Sequence, residues 1–437
     1  MLMKSRFALL GVLMLSDLSA AAESPLFHAT FVKLGAENMD GVLYEPETLG
    51  PNSRIALVYT FPRATFDAVP PSEMARRGYR ALLVTPYTED ESPMDGVAET
   101  SRAITYMRTL PGVQRVVVMG HSGGGRLMAF YANVSLNGPA GCQQPELLYR
   151  CKSEQVTGLA KPDGLVLLDP SPGTINSAAS VDPAYDGNWR SRSYLDMYAS
   201  ANGYDARTGS ASYPADFVKR FYAAQSARNQ QLIDNAVARL KQLERGSGVF
   251  PDDEPLVIPG MVNGGNAIRL YHTDLKLQSH TKRPHTLLKA DGSTQEVIVH
   301  SVRPATGVQD IRTLGSLGNA ALSTTVRDFL ANYALRTTSD FALTDDDIVG
   351  VDWKSSLRST PLSAEGITVP TLVLSMSCYF FVVPDEIIFE HLAAKDKTYA
   401  AVEGAVHGFT PCKPEYGDTV QRTFDFVDNW LTRPGRF

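Results

Sequence analysis

Ser122 sits inside Gly120-His121-Ser122-Gly123-Gly124, and the chain carries eight histidines from which a partner for its hydroxyl could come. A serine hydroxyl is a weak nucleophile near neutral pH. It attacks a carbonyl when an imidazole takes its proton and a carboxylate orients that imidazole and stabilises its charged form. The G-x-S-x-G pattern follows the apolar run Arg115-Val116-Val117-Val118-Met119 and precedes Arg126-Leu127-Met128-Ala129-Phe130-Tyr131, which suits a helix. Strand, sharp turn and helix in that order raise a serine clear of a sheet on a strained corner. Side chains at 120 and 124 would collide with the neighbouring strand and helix.

Chain order on such a sheet runs serine, acid, histidine. His28 and His121 precede or abut the serine, His272, His280, His285 and His300 fall in a long middle stretch, and His391 reads as helical. His407 lies in Glu403-Gly404-Ala405-Val406-His407-Gly408-Phe409 after the last strand-like run. Its flanking glycines predict a loop at the carboxyl edge of the sheet, where the serine also emerges, so His407 is the expected base.

The acid has two possible sources. Asp169 ends a buried strand in Leu167-Leu168-Asp169-Pro170-Ser171, a strand expected beside that of the nucleophile. The other source is the loop after strand 371–376. Phe380 occupies the place four residues before Pro384 where a carboxylate would be expected, while Asp385 and Glu386 follow that proline as the acidic first turn of a helix. Asp169 is the expected acid, with Asp385 or Glu386 as the alternative. An oxyanion formed on attack needs two backbone N–H groups. Gly123 supplies one at the helix N-terminus, and Phe61, in Thr60-Phe61-Pro62-Arg63 after strand 55–59, is expected to supply the other.

The elements that must position these groups alternate. Strand-like runs at 27–34, 42–44, 55–59, 80–85, 115–119, 164–168, 371–376 and 398–402 are separated by helix-like stretches at 72–77, 96–110, 384–394 and the final helix with Val420, Phe424, Val427 and Leu431 on one face. That rhythm predicts an α/β doubly wound, mostly parallel sheet covered on both sides. Residues 171–366 break it. They hold a helix at 214–244, a hairpin around Asp291-Gly292 and a second helix at 324–335, and read as a cap subdomain inserted into a core of 24–170 and 367–437.

The 437 residues carry a net charge of −6, with 43% hydrophobic and 20% charged residues, and no Lys/Arg-rich run offers a phosphate track for nucleic acid. Lys4 and Arg6 precede the apolar stretch 7–15, and Ala20-Ala21-Ala22 follows, the layout of a cleaved secretory signal peptide over 1–22. The stretch is too short to span a bilayer, so export to the periplasm or the medium without stable membrane insertion is expected. Oxidising surroundings then favour disulfides, paired as Cys142–Cys151 and Cys378–Cys412. No metal is expected: Asp345-Asp346-Asp347 lacks the D-x-D-x-D spacing of a cation loop, and the cysteines form no C-x-x-C pair. No cofactor motif is present either.

The elbow at 120–124, Tyr59-Thr60-Phe61-Pro62 and Ala405-Val406-His407-Gly408-Phe409 resemble the α/β-hydrolase superfamily over about 24–170 and 367–437. Tyr59-Thr60 replaces the His-Gly of the family's oxyanion loop. Some lipase-like and chlorophyllase-like members place the acid in a Leu-Asp-Pro setting similar to Leu168-Asp169-Pro170. The resemblance implies an α/β-hydrolase fold and hydrolysis of a carboxylic ester through an acyl-serine, by a serine esterase acting on a small molecule with apolar bulk. An amidase or aminopeptidase on the same residues, a non-catalytic binding protein and a cofactor-free haloperoxidase are the other readings.

Overall fold

The protein is described by a computed structural model over residues 26–35, 40–61, 67–84, 94, 96–261, 269–305 and 321–437. The expected leader at 1–22 and residues 62–66 of the expected oxyanion loop lie outside them. A ten-stranded sheet organises the molecule. Its strands in chain order are β1 (Phe27–Lys33), β2 (Asp40–Pro46), β3 (Ile55–Thr60), β4 (Arg80–Val84), β5 (Arg115–His121), β6 (Gly164–Leu168), β7 (His280–Leu288), β8 (Thr294–His300), β9 (Thr371–Met376) and β10 (Lys397–Val402). They lie side by side as β1-β2-β4-β3-β5-β6-β9-β10-β7-β8. From β4 to β7 every pairing is parallel, while β1–β2, β2–β4 and β7–β8 are antiparallel.

Alternation along β5 shows why the sheet must be covered twice. Successive side chains of a strand point to opposite faces. Val116 and Val118 pack with Ala103, Ile104 and Met107 of helix α2 (Val97–Thr109) and with Met128 and Phe130 of α3 (Gly123–Asn137). Val117 and Met119 pack with Met74 of α1 (Val69–Arg76) and with Phe424, Val427 and Leu431 of the last helix, Thr419–Leu431. All four β5 side chains are fully buried. A strand buried on both faces reads as one continuous apolar run, which is how β3, β5, β6 and β9 appear in the sequence.

The insertion carries helix α4 (Ala215–Glu244), thirty residues long, with Phe217, Phe221 and Ile233 buried, and two-stranded ladders pairing 255–259 with 321–325 and 337–343 with 348–351. Two expectations for it change. The hairpin at 280–300 forms as expected around Asp291-Gly292, but it does not stay in a cap: Thr286–Leu288 pair in parallel with Ala400–Val402, so β7 and β8 extend the main sheet. The helix expected at 324–335 is shorter, Val326–Asn332, because 321–325 is drawn into pairing with 255–259.

Candidate active site

At the end of β5 the backbone of Ser122 takes φ 55°, ψ −124°, and α3 starts at Gly123. That positive φ is strained for a residue with a side chain. Backbone bonds pin the corner: Ser122 N donates to Leu168 O (3.2 Å), and Ser122 O accepts from Ser171 N (2.8 Å) and Gly125 N (3.0 Å). The glycines are obligatory for space. A Cβ on Gly120 would sit 2.3 Å from Gly124 O, and one on Gly124 would sit 2.2 Å from Thr60 O. The serine thus stands at the N-terminus of α3, with Gly123 as the first helical residue.

Asp169 follows the last residue of β6. It also has a positive φ, 43°, which turns its side chain toward the loops at the carboxyl edge. Its N–H donates to Leu374 O (2.8 Å), and Oδ1 accepts from Met376 N (3.0 Å). Oδ2 is hydrogen-bonded to Nδ1 of His407. The carboxylate is fully buried and the His407 side chain about one-fifth exposed.

His407 lies on the loop after β10. A tight turn joins Val406 N to Thr410 O (2.8 Å) and Phe409 N to Val406 O (2.8 Å). Tyr379 stacks on the His407 ring at 4.4 Å between centroids and 19° between planes, and Phe381 meets it edge-on at 5.5 Å. The ring of His121, next to the serine, is 4.5 Å from that of His407, and His121 Nε2 is 2.8 Å from His407 O. A carbonyl only accepts, so Nε2 of His121 carries the proton. Burial, and then the nearby His407, lower the His121 pKa well below its ordinary value, so this ring stays neutral.

The structure therefore brings His407 and Asp169 into contact and places both beside the elbow. Among the described residues no hydrogen bond joins Ser122 Oγ to His407, whose hydrogen-bonded side-chain partner is Asp169. Phe61 follows Thr60, which pairs in register with Gly120, and its ring stacks on His121 at 4.8 Å.

The two alternative acids go elsewhere. Glu386 accepts from Lys282 N (2.6 Å) and Arg283 N (2.9 Å) and bonds His285 Nε2 (2.8 Å), which ties helix α5 (Val382–His391) to β7. Asp385 is buried behind Asp169 and does not reach the imidazole. Both expected disulfides are present. Cys142–Cys151, with Cα atoms 5.6 Å apart, closes the excursion after α3. Cys378–Cys412, at 6.4 Å, joins the loop after β9 to the segment carrying His407. Among the described residues no group of His, Cys, Asp or Glu could hold a metal, and no helix is long and apolar enough to cross a membrane.

Sequence reasoning missed two features. His121 fails as a base on chain order, but its position inside the elbow pointed to a contact with whatever approaches the serine. Tyr379 and Phe381 lie beside Phe380 in the loop searched for the acid, and nothing in one dimension assigned them to the His407 ring.

No protein-family model and no curated protein matches the chain. Among solved structures it is similar to DcsB in complex with its substrate analogue (13% identity, 92% of this chain and 98% of that one, TM-score 0.40). It is also similar to Est1E from Butyrivibrio proteoclasticus (10%, 93% and 99%, TM-score 0.38) and to the α/β hydrolase GrgF from Penicillium sp. (12%, 94% and 99%, TM-score 0.39). On its own sheet order, glycine-bound elbow and loops gathered at one edge, the chain has the α/β-hydrolase fold with an inserted subdomain.

Proposed function

We propose that the protein is an exported serine hydrolase that cleaves carboxylic esters. The observation that carries this reading is the Asp169–His407 hydrogen bond formed beside the strained Ser122 corner. With Nδ1 held by the carboxylate, the second ring nitrogen of His407 is left to take a proton. Ser122 Oγ attacks the ester carbonyl as His407 removes its hydrogen, and Asp169 stabilises the imidazolium that results. The tetrahedral oxyanion is met by the N–H of Gly123 and that of Phe61. His407 returns the proton to the departing alcohol, and water then releases the acid from Ser122 by the same steps in reverse.

The insertion acts as the cap. Ile175, Ala179, Tyr271, Leu343, Phe380 and Pro384, with Asn176 and Gln278, line a narrow crevice one residue along from the Tyr379 ring that covers His407. Such a lining suits a substrate with apolar bulk. The two disulfides fit an oxidising compartment.

The test is a panel of p-nitrophenyl esters of increasing acyl length, with matched anilides, run on the wild type and Ser122→Ala. Ester turnover is expected to exceed anilide turnover and to fall about 10⁴- to 10⁶-fold in the variant. A fluorophosphonate is expected to label Ser122. Turnover retained in Ser122→Ala, or label on another residue, overturns the proposal.

A further inference from the structure

Asp385 is a second carboxyl group in the site, and the mechanism above does not use it. It lies in the first turn of α5 and is fully buried. Among the described residues neither of its oxygens has a hydrogen-bond partner of good geometry, and the polar side chains beside it are Ser375 and Asp169. The ionisable group in contact with it is the carboxyl of Asp169. Two ionised carboxylates in contact, out of water and without a cation between them, repel strongly, and such a pair retains one proton. Asp169 already accepts from Met376 N and bonds His407, so its charge is used. The proton therefore belongs on Asp385.

The other ionisable groups around α5 do not alter this. Tyr399 of β10 donates to Val382 O (3.1 Å), and burial raises its pKa well above the ordinary value, so it is neutral. Lys282, Arg283 and His285 of β7 are turned to Asp347, Glu390 and Glu386. At the far end of the helix, His391 faces Glu365. Burial, and then the Asp169 charge, push the Asp385 carboxyl well above the usual carboxylate range.

We propose that Asp385 is a carboxylic acid at neutral pH that donates its proton to Asp169, and that this shared proton makes it a positioning residue for the Asp169–His407 pair. The proposal rests on the reading of His407 as base and Asp169 as its orienter. The bond spreads the negative charge of Asp169 over two carboxyl groups. It fixes the carboxylate on the side away from the imidazole and moderates its hold on the imidazolium.

The experiment compares Asp385→Asn, which keeps the shape and a donor, with Asp385→Leu, which keeps the shape and removes the donor. His407 is titrated by NMR in the wild type and both variants, its signal assigned by His407→Asn. The imidazolium is expected to titrate at the same pH in the wild type and Asp385→Asn, and about half a pH unit or more higher in Asp385→Leu. The infrared carbonyl band of a protonated carboxyl group at pH 7 is expected in the wild type and in Ser122→Ala, and lost in Asp385→Asn.

Thermal stability gives a third readout with a fixed sign. A carboxyl group neutral in the fold costs nothing below its unfolded pKa, and costs progressively more as pH rises and the unfolded chain ionises. Asp385→Asn removes that cost, so its Tm is expected to gain on the wild type between pH 4 and pH 8. A band that survives in Asp385→Asn, a Tm difference independent of pH, or an imidazolium that titrates alike in Asn and Leu variants overturns the proposal. If Asp385→Leu does not fold, the infrared and Tm arms decide it. None of these readouts requires turnover, so a failure of the hydrolase reading in Ser122→Ala is seen separately.

Discussion

The loops after β6 and β9 leave the same edge of the sheet from neighbouring parallel strands, yet they supply different things to His407. The first supplies a carboxylate. Asp169 turns inward on a positive φ and bonds Nδ1. The second supplies rings: Tyr379 lies flat on the imidazole, Phe381 meets its edge, and Phe380 continues the stack to Tyr271 and His272 of the insertion. β9 still helps to hold Asp169, through its backbone, because Met376 N–H and Leu374 C=O bind both ends of it. A carboxylate at the edge of a parallel sheet can thus be owned by one strand and fixed by the next. The place left free on the second strand becomes wall.

The largest expected effect tests that ownership directly. Asp169→Asn keeps the shape but offers an amide to Nδ1, which favours the wrong tautomer of His407. Turnover of a short ester is expected to fall about 10⁴-fold, or about 5.5 kcal/mol in the barrier, with the circular dichroism spectrum unchanged. A loss of less than tenfold would move the acid to the β9 side and reverse the comparison.

Next comes the link between the β9 loop and the histidine segment. Cys378 and Cys412 enclose a 34-residue separation. Opening it in Cys378→Ser/Cys412→Ser is expected to cost about 2–4 kcal/mol in denaturant unfolding, through the freedom returned to the unfolded chain. The corresponding change at Cys142 and Cys151, nine residues apart, closes a shorter loop and is expected to cost less.

His121 sharpens the β5 side of the site. Its ring is buried and neutral, with its pKa lowered by burial and by His407. The unfolded chain takes up a proton near pH 6.5 and the folded one does not, so this group's share of stability is present above pH 6.5 and is lost as pH falls. His121→Gln retains a donor for His407 O but has no such titration. It is expected to be less stable than the wild type at pH 8 through lost ring packing, with the gap closing by about 1–2 kcal/mol between pH 7 and pH 5. Urea unfolding across that range measures it; a gap that stays constant or widens contradicts the assignment.

Much of this arrangement could be read from the chain, for local reasons. The elbow needs glycines within five residues, the buried parallel strands are unbroken apolar runs, and Asp169 and His407 each sit where such a run ends. Other features depend on contacts between distant residues. The alternation at 280–300 shows a hairpin, but not that Leu287 would pair with Ala401 and enlarge the main sheet. The residues 321–325 carry no mark of their partner at 255–259. Asp385 and Glu386 look alike as acids at a helix start. One faces three N–H donors from β7 and the other faces Asp169, a difference made entirely by which strands flank α5.

The smallest expected effect belongs to the aromatic side of the comparison. Tyr379 stacks on His407 at 4.4 Å and 19°, and on Phe380 at 4.1 Å. A ring on the imidazole face limits the rotation that would break the Nδ1–Asp169 bond, and such contacts contribute about 0.5–1.5 kcal/mol beyond the area they bury. Tyr379→Leu keeps an apolar wall but removes the flat partner. It is expected to lower kcat/KM about 3- to 10-fold for esters of every acyl length, because the lost contact is to His407, the proposed base, rather than to the substrate. A loss confined to long acyl chains would instead make Tyr379 part of the pocket, and the β9 loop would then serve specificity and not the orientation of His407.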